Sequence, residues 1–239
     1  MEATPRGNGN FLRVATCNLR HGAGRFGLVS HRGLVDTCRT LDADILALQE
    51  LDQYVVRSWF RNQPALVARA LAMRHVAPVA KRTPVGGSQC NALCARGTID
   101  QVEIVELPRR AGAERRVALL ARVRLVGATV SVACTHLQHR GGAAREQLAA
   151  VLETLVGRPS PRIVAGDFNL EPDDVEPILA ARGFTPAPSG PTFPAGSPRR
   201  RIDWIAVDAT LQVLGTRVHE PVVGDHCPLV ADLAVVAPA

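Results

Sequence analysis

Four short stretches of this chain carry residues able to act on a phosphate. Near the C-terminal end stand Arg201-Ile-Asp203, opening an apolar run, and Gly224-Asp225-His226, just before another. Upstream lie Gln49-Glu50 and Gly166-Asp167-Phe168-Asn169, with Asn18 and His136 each closing an apolar run of its own. Carboxylates together with amides suit Mg²⁺ or Mn²⁺, a hard cation that prefers oxygen ligands and keeps waters while a substrate phosphate completes its shell. Histidines suit the phosphate itself, by donating to its oxygens or by moving a proton near neutral pH. Competing templates fail on their own terms. Gly86-Gly87-Ser88-Gln89-Cys90 lacks the closing glycine of a nucleophile elbow. The sole lysine, Lys81, lies outside any P-loop pattern, and His136 and His139 are three apart rather than the four of a helical zinc pair.

These residues need elements to position them. Leu12–Asn18 predicts a first strand, Arg32–Leu41 a helix, and Ile45–Leu48 a buried strand ending at Gln49-Glu50. Pro64–Met73 follows as a helix, with its proline suited to the first turn. Asn91–Arg96, Ile99–Leu107, Arg116–Leu125 and Thr129–Thr135 predict extended runs, the last two joined as a hairpin. Ala143–Val156 is helical, Ile163–Ala165 a strand stopping at Gly166, and Asp173–Ala181 a short helix. The Pro/Gly-rich Thr185–Pro198 is a long irregular loop of the kind that borders a site. Ile202–Val207, Leu211–Val218 and Leu229–Val235 close the chain as strands. Helices separated by pairs and runs of strands fit two sheets with helices outside, not a strictly alternating parallel sheet. Because Asn18, Glu50, His136 and Asp167 each end or closely follow a strand, they can converge on one rim.

The bulk properties set bounds. At 239 residues with no linker-like middle, residues 11–239 read as a single domain behind a flexible segment, residues 1–10. Hydrophobic residues make up 46% but aromatics only 4%, so the core must be mostly aliphatic. No apolar stretch approaches a membrane span and the start lacks an apolar leader, so the expected location is cytoplasmic. The six cysteines then read as buried reduced thiols. A net charge of +6 suits an anionic partner without identifying one. Phe193, Trp204 and Trp59 are expected to pack in the core rather than to offer stacking surfaces.

In order along the chain, Ala15-Thr-Cys-Asn18, Ile45-Leu-Ala-Leu-Gln-Glu50, Asn91-Ala-Leu-Cys-Ala-Arg96, Glu114-Arg-Arg116, Thr135-His136-Leu137, Gly166-Asp167-Phe168-Asn169, Arg201-Ile-Asp203 and Gly224-Asp225-His226 resemble the endonuclease/exonuclease/phosphatase superfamily. The resemblance implies an α+β fold, a four-layer αββα sandwich of two mainly antiparallel sheets flanked by helices. It also implies divalent-metal phosphoester hydrolysis by in-line attack of water. Carried over position by position, it makes Glu50 the main Mg²⁺ (or Mn²⁺) ligand, with Asn18 beside it and Asp225 on the same ion or its waters. Asp167 and Asn169 would place the attacking water and a phosphate oxygen. His136 would contact the phosphate, oriented by Glu114, and His226 would pair with Asp203. Either Asp167 or His226 could take the water's proton. Asn91, Arg116 and Arg201 are the expected substrate contacts. The closer analogy is to the histidine-bearing DNase I and sphingomyelinase branches, since His136 stands where the abasic-endonuclease branch has a tyrosine.

The substrate is expected to be a phosphate ester, with nucleic acid slightly favoured. The arginines of Arg109–Arg116 and Thr185–Arg201 suit a phosphate backbone or an anionic lipid head group. A sphingomyelinase-like or phosphoinositide-type phosphohydrolase is the second reading. A catalytically silent nucleic-acid or partner-binding module is the third, although no partner protein is evident from the sequence.

Overall fold

The computed structural model describes residues 11–24, 26–139 and 142–236; the expected flexible segment, residues 1–10, lies outside them. The first half of the chain runs β1 (Phe11–Asn18), α1 (His31–Thr40), β2 (Ile45–Gln53), α2 (Gln63–Ala70), β3 (Arg74–Val76), β4 (Val79–Arg82), β5 (Ser88–Ala95) and β6 (Thr98–Glu106). The second runs β7 (Val117–Leu125), β8 (Ala128–His136), α3 (Ala144–Val156), β9 (Arg162–Asp167), α4 (Pro172–Ala180), β10 (Phe184–Pro186), β11 (Asp203–Asp208), β12 (Leu211–Val218) and β13 (Leu229–Val235).

Two sheets result. One has the order β12-β13-β1-β2-β5-β3, with β4 also on β5, and the other the order β10-β11-β9-β8-β7-β6. Among the described pairings, β1 with β2 and β8 with β9 are parallel and the rest antiparallel. A parallel pair needs a crossover, and α1 and α3 supply them. Ser30 caps α1 by accepting from the Gly33 amide, and Asn62 caps α2 by accepting from Ala65.

The layers follow from side-chain parity. Val14, Ile45, Leu93, Val132, Ile163, Ile205 and Leu233 meet between the sheets in an almost wholly aliphatic core. Alternate residues such as Cys17, Leu46, Leu48 and Cys94 pack outward under α1 and α2 with Leu34 and Val67. On the other side Leu120, Val164 and Trp204 pack under α3 and α4 with Leu148, Leu152 and Val175. The four layers of the αββα sandwich are thus filled by three aliphatic clusters.

The same parity builds the site. On a strand, residues two apart share a face, so the inward series 14-16-18, 132-134-136, 163-165-167 and 207-205-203 each change from apolar to polar at one end. Asn18, His136, Asp167 and Asp203 therefore cap the inter-sheet core at a single mouth. Glu50 is out of phase with its strand, and a β-bulge corrects it. Leu48 pairs with Ala92 and Leu51 with Cys90, so Gln49 and Glu50 together face the single residue Asn91, and Glu50 takes φ 58°. The strand continues to Gln53 instead of ending at Glu50 as the sequence suggested.

Register at this mouth is tight. His136 pairs with Asp167, and Asp167 with Asp203. A Cβ added at Gly166 would stand 2.0 Å from the Thr135 carbonyl oxygen. Gly166→Ala must push β9 away from β8, and we expect it to lower the unfolding free energy by about 2 kcal/mol or more, measured by urea denaturation. An unchanged midpoint would show that the close approach is not required.

Candidate active site

The mouth opens as a cleft of about 380 Å³ whose lining includes Asn18, Glu50, Glu114, Arg116, His136, Asp167, Asn169 and His226. Each sits where a strand ends or a loop folds back over one. At its floor the Asn18 amide nitrogen donates to Glu50 Oε1 at 3.2 Å and to Asp167 Oδ2 at 3.1 Å. Asn18 Oδ1 is held by the Arg20 amide at 3.1 Å, which fixes the orientation of the group.

Asp167 is 1% exposed. Burial, followed by the nearby Asp203 charge, pushes its carboxyl up to about 7, against the pull of His226 and of the hydrogen bonds from Asn18 and the Asn169 amide. The Asn169 amide holds Oδ1 at 3.0 Å, and its side chain donates to the Leu137 carbonyl.

The two histidines beside Asp167 are shifted in opposite directions. His226 Nδ1 meets Asp203 Oδ2 at 2.8 Å, and its Nε2 lies 3.8 Å from Asp167 Oδ2. Burial disfavours the charged ring, but Asp203, then Asp167 and Asp225, override it and raise His226 to about 10. Thr192 completes the support, donating its hydroxyl to Asp203 Oδ2 at 2.6 Å, while Phe193 packs on the imidazole with centroids 4.8 Å apart. His136 is driven well below its ordinary value by burial and by Arg116. The Arg116 guanidinium donates to His136 Nδ1 at 3.1 Å, which leaves the proton of the neutral ring on Nε2. Its 3.4 Å approach to Asp167 is accordingly a contact of a neutral ring with a carboxyl, not an ion pair.

Glu114 bridges Lys81 at 2.8 Å and Arg116 at 3.7 Å. Burial works against its charge, but these two cations outweigh that and lower its pKa. Glu114 thus orients Arg116 and reaches His136 only through it.

Three expected site residues lie elsewhere. Asp225 pairs with Arg20 at 3.4 Å and lines a neighbouring cleft rather than the one holding Glu50. Arg201 is turned aside, stacked 3.8 Å over Trp204 and bonded to the Ala187 carbonyl, so Arg200 lines the cleft in its place. Asn91 is buried beneath the floor, where its amide donates to the Val117 carbonyl and ties the two sheets together. Lys81, Gln89, His139 and Phe193 line the cleft without having been singled out for it, and Arg200 lines it from the arginine-bearing segment expected to form a substrate rim. Of the aromatics expected in the core, Trp204 is buried, Phe193 lines the cleft, and Trp59 is 75% exposed.

The donor set fits a hard divalent cation. Two carboxylates converge on one amide at the floor, and the buried Asp203 Oδ1 has no hydrogen-bond partner. Asp167, Asp203 and His226 are close enough to share an ion. A protonated imidazole whose Nδ1 already serves Asp203 is nevertheless a poor ligand, so the Glu50 carboxylate, ordered by the Asn18 amide, offers the better oxygen ligand.

The endonuclease/exonuclease/phosphatase family model matches residues 15–226, and the chain belongs to that family, whose chemistry is phosphoester hydrolysis. Solved structures share its fold. An endonuclease/exonuclease/phosphatase from Beutenbergia cavernae DSM 12333 superposes with a TM-score of 0.80 at 23% identity, covering 95% of this chain and 72% of that one. The human Nocturnin catalytic domain with bound sulfate anion gives 0.75 at 24% identity, covering 95% and 94%. A mannosyl-6-phosphatase from Bacteroides thetaiotaomicron VPI-5482 gives 0.76 at 18%, covering 93% and 99%. No curated protein sequence matches significantly.

The charge state of His226 has a measurable consequence in the metal-free protein. Its folded pKa of about 10 lies above the ordinary value near 6.5. The stability it contributes is therefore complete below about pH 6.5 and is lost as the pH rises towards 10. Urea melts between about pH 7.5 and 8, above the range where the lowered histidines titrate in the unfolded chain and below the thiol midpoint near 8.5, should show stability falling with pH. Asp203→Asn should flatten that slope; a slope unchanged by the substitution would refute the pairing as its source.

Proposed function

We propose that this protein is a divalent-metal-dependent phosphodiesterase that cleaves by in-line attack of water on phosphorus. The observation that carries the reading is Asp167, a carboxyl raised to about 7 and set between a cationic His226 and a neutral His136. A carboxylate titrating near the working pH is suited to take the proton of a water that attacks phosphorus. His226, protonated through neutral pH, cannot serve as that base; it donates from Nε2 to a non-bridging phosphate oxygen while Asp203 and Thr192 hold its ring. Arg116, buried with its Nε unpartnered, faces the cleft as a second donor to the same phosphate.

Glu50, its carboxylate ordered by the Asn18 amide, would hold Mg²⁺ or Mn²⁺ together with waters and the substrate phosphate, and the ion when bound would neutralise the phosphate and the charge developing on the leaving oxygen. Asn169 fixes Asp167 from the backbone, so that the oxygen shared with Asn18 stays turned into the cleft. His136, with its proton on Nε2, can donate on the leaving-group side.

For the substrate, the arginine-bearing loops support a nucleic-acid backbone, although Arg201 is withdrawn from that track. A phospholipid head-group ester is the second reading, favoured by the exposed apolar side chains on the loops next to Asn18 and Glu50. A cytoplasmic location belongs to the same proposal, supported by six buried cysteines that are all free. No helix among the described residues is long and apolar enough to cross a membrane.

Single-stranded and duplex nucleic acid, sphingomyelin, inositol phosphates and a generic phosphodiester, each with Mg²⁺, Mn²⁺ or EDTA, make the test. Glu50→Ala and Asp167→Asn should each cut turnover by about 10²-fold or more without unfolding the protein. Turnover that persists in EDTA, or in both variants, would overturn the proposal.

A further inference from the structure

Aromatic residues are scarce in this chain, and several are not in its core. Of nine in the sequence, Phe26, Tyr54, Trp59 and Phe60 are all exposed, on two loops. One loop follows β1 directly after Asn18, and the other follows β2 shortly after Glu50. A third loop, between β4 and β5, lifts Val85 into solvent beside them. Phe26, Leu28, Trp59, Phe60 and Val85 are between 63% and 88% exposed.

The topology puts these three tips on one side of the cleft mouth. β1 and β2 are parallel, so their following loops leave the same edge of the sheet. β5 begins opposite the end of β2, Ser88 pairing with Gln53, so the β4–β5 tip lies there as well. Contacts join them: Gln63 Nε2 donates to the His21 carbonyl at 2.8 Å, and a Cβ on Gly87 would stand 2.5 Å from the Tyr54 carbonyl oxygen. Trp59 and Phe60 hold their exposure in consecutive left-handed conformations, φ 54° and 56°. Such a conformation is unfavourable for bulky side chains and persists only where the surrounding structure imposes it.

Charge on the three loops is one-sided. Residues 19–32, 53–62 and 81–88 contain six arginines and the sole lysine but no aspartate or glutamate. Arg20, Arg32, Arg57 and Lys81 are paired with Asp225, Asp36, Asp52 and Glu114 outside those windows, whereas Arg61 and Arg82 form no ion pair among the described residues. Apolar tips carrying tryptophan and tyrosine, with Arg61 and Arg82 among them, match a surface that enters the interface of an anionic bilayer. Base stacking explains less, because Leu28 and Val85 have no π face to offer.

We propose that these three loop tips are a docking face for an anionic lipid surface, set beside the cleft mouth. Docking needs no catalysis; only the further step, delivery of a head-group phosphoester to the cleft, rests on the function proposed above.

The full-length protein can be tested with vesicles of phosphatidylcholine alone and of equal parts phosphatidylserine and phosphatidylcholine. Trp204 is fully buried and Trp59 exposed, so a blue shift of tryptophan emission on adding vesicles reports Trp59. We expect co-sedimentation and a blue shift with the phosphatidylserine vesicles, weakened by salt. The double variant Trp59→Ala, Phe60→Ala should bind at least about ten-fold more weakly, and Arg61→Ala about five-fold more weakly, both melting as the parent does. No binding at low salt, or binding unaltered in the variants, would overturn the proposal. So would a face used otherwise: a dimer dispersed by the double variant, or tight binding of a single-stranded oligonucleotide lost in it while vesicle binding is not. Vesicle binding without hydrolysis of any ester would uphold the docking face while refuting the function; hydrolysis of small esters without vesicle binding would do the reverse.

Discussion

One side-chain amide joins the two halves of the site. Asn18 has two N–H groups, and they go to carboxylates of different sheets, Glu50 on β2 and Asp167 on β9. Two acids brought this close repel each other, and in a medium less polar than water that repulsion is large. A neutral double donor between them lowers it without adding a cation that would compete with a metal ion. What repulsion and burial remain uncompensated is visible in the raised pKa of Asp167. The amide is itself fixed by the Arg20 backbone, so its direction is set by the chain immediately after β1.

Around that clasp, the buried charges are answered by polar or charged neighbours drawn from strands and loops alike. Asp203 is fully buried, which would be costly for a lone carboxylate; His226 and Thr192 share one of its oxygens. Arg116 is held by His136 and Glu114, and Glu114 in turn by Lys81. The set is nearly closed, and the atoms left over are informative: Asp203 Oδ1 and Arg116 Nε have no partner. A buried polar atom left unpaired destabilises the fold, so its presence in a catalytic mouth points to a role in ligand binding.

Much of this frame was legible in the sequence because it obeys local rules. The apolar alternation of β1, β8, β9 and β11 ends in a polar residue of inward parity, and the ends of those strands gave Asn18, His136, Asp167 and Asp203. Glu50 was found by its motif, not by parity, since only the bulge opposite Asn91 turns it inward. β3, β4 and β10 were missed; at three or four residues they are too short to carry a period, and pairing with β5 or β11 defines them. Lys81 reaches the cleft on one of these short strands and Gln89 at the start of β5, placements for which no local signal exists. Arg201 and Arg200 are neighbours whose side chains diverge, and only the Trp204 ring decides which one is withdrawn. Trp59 was misjudged because composition alone expects a tryptophan inside, whereas two consecutive left-handed residues hold it out.

Those last two residues show why chemistry and specificity separate in this fold. The acids, histidines and arginine in the cleft are matched to a phosphate and its leaving oxygen, so they can act on many esters alike. Discrimination must come from whatever touches the rest of the substrate. The aliphatic core leaves the architecture with no need of the exposed aromatics, because Val, Leu, Ile and Ala fill the space between the sheets. A tryptophan, a tyrosine and two phenylalanines outside the core therefore report on the surroundings of the cleft and not on the stability of the fold. The strands that deliver Asn18 and Glu50 run directly into the loops that carry those side chains. Any partner seated on the loops would thus bear on the same two strand ends that hold the site together.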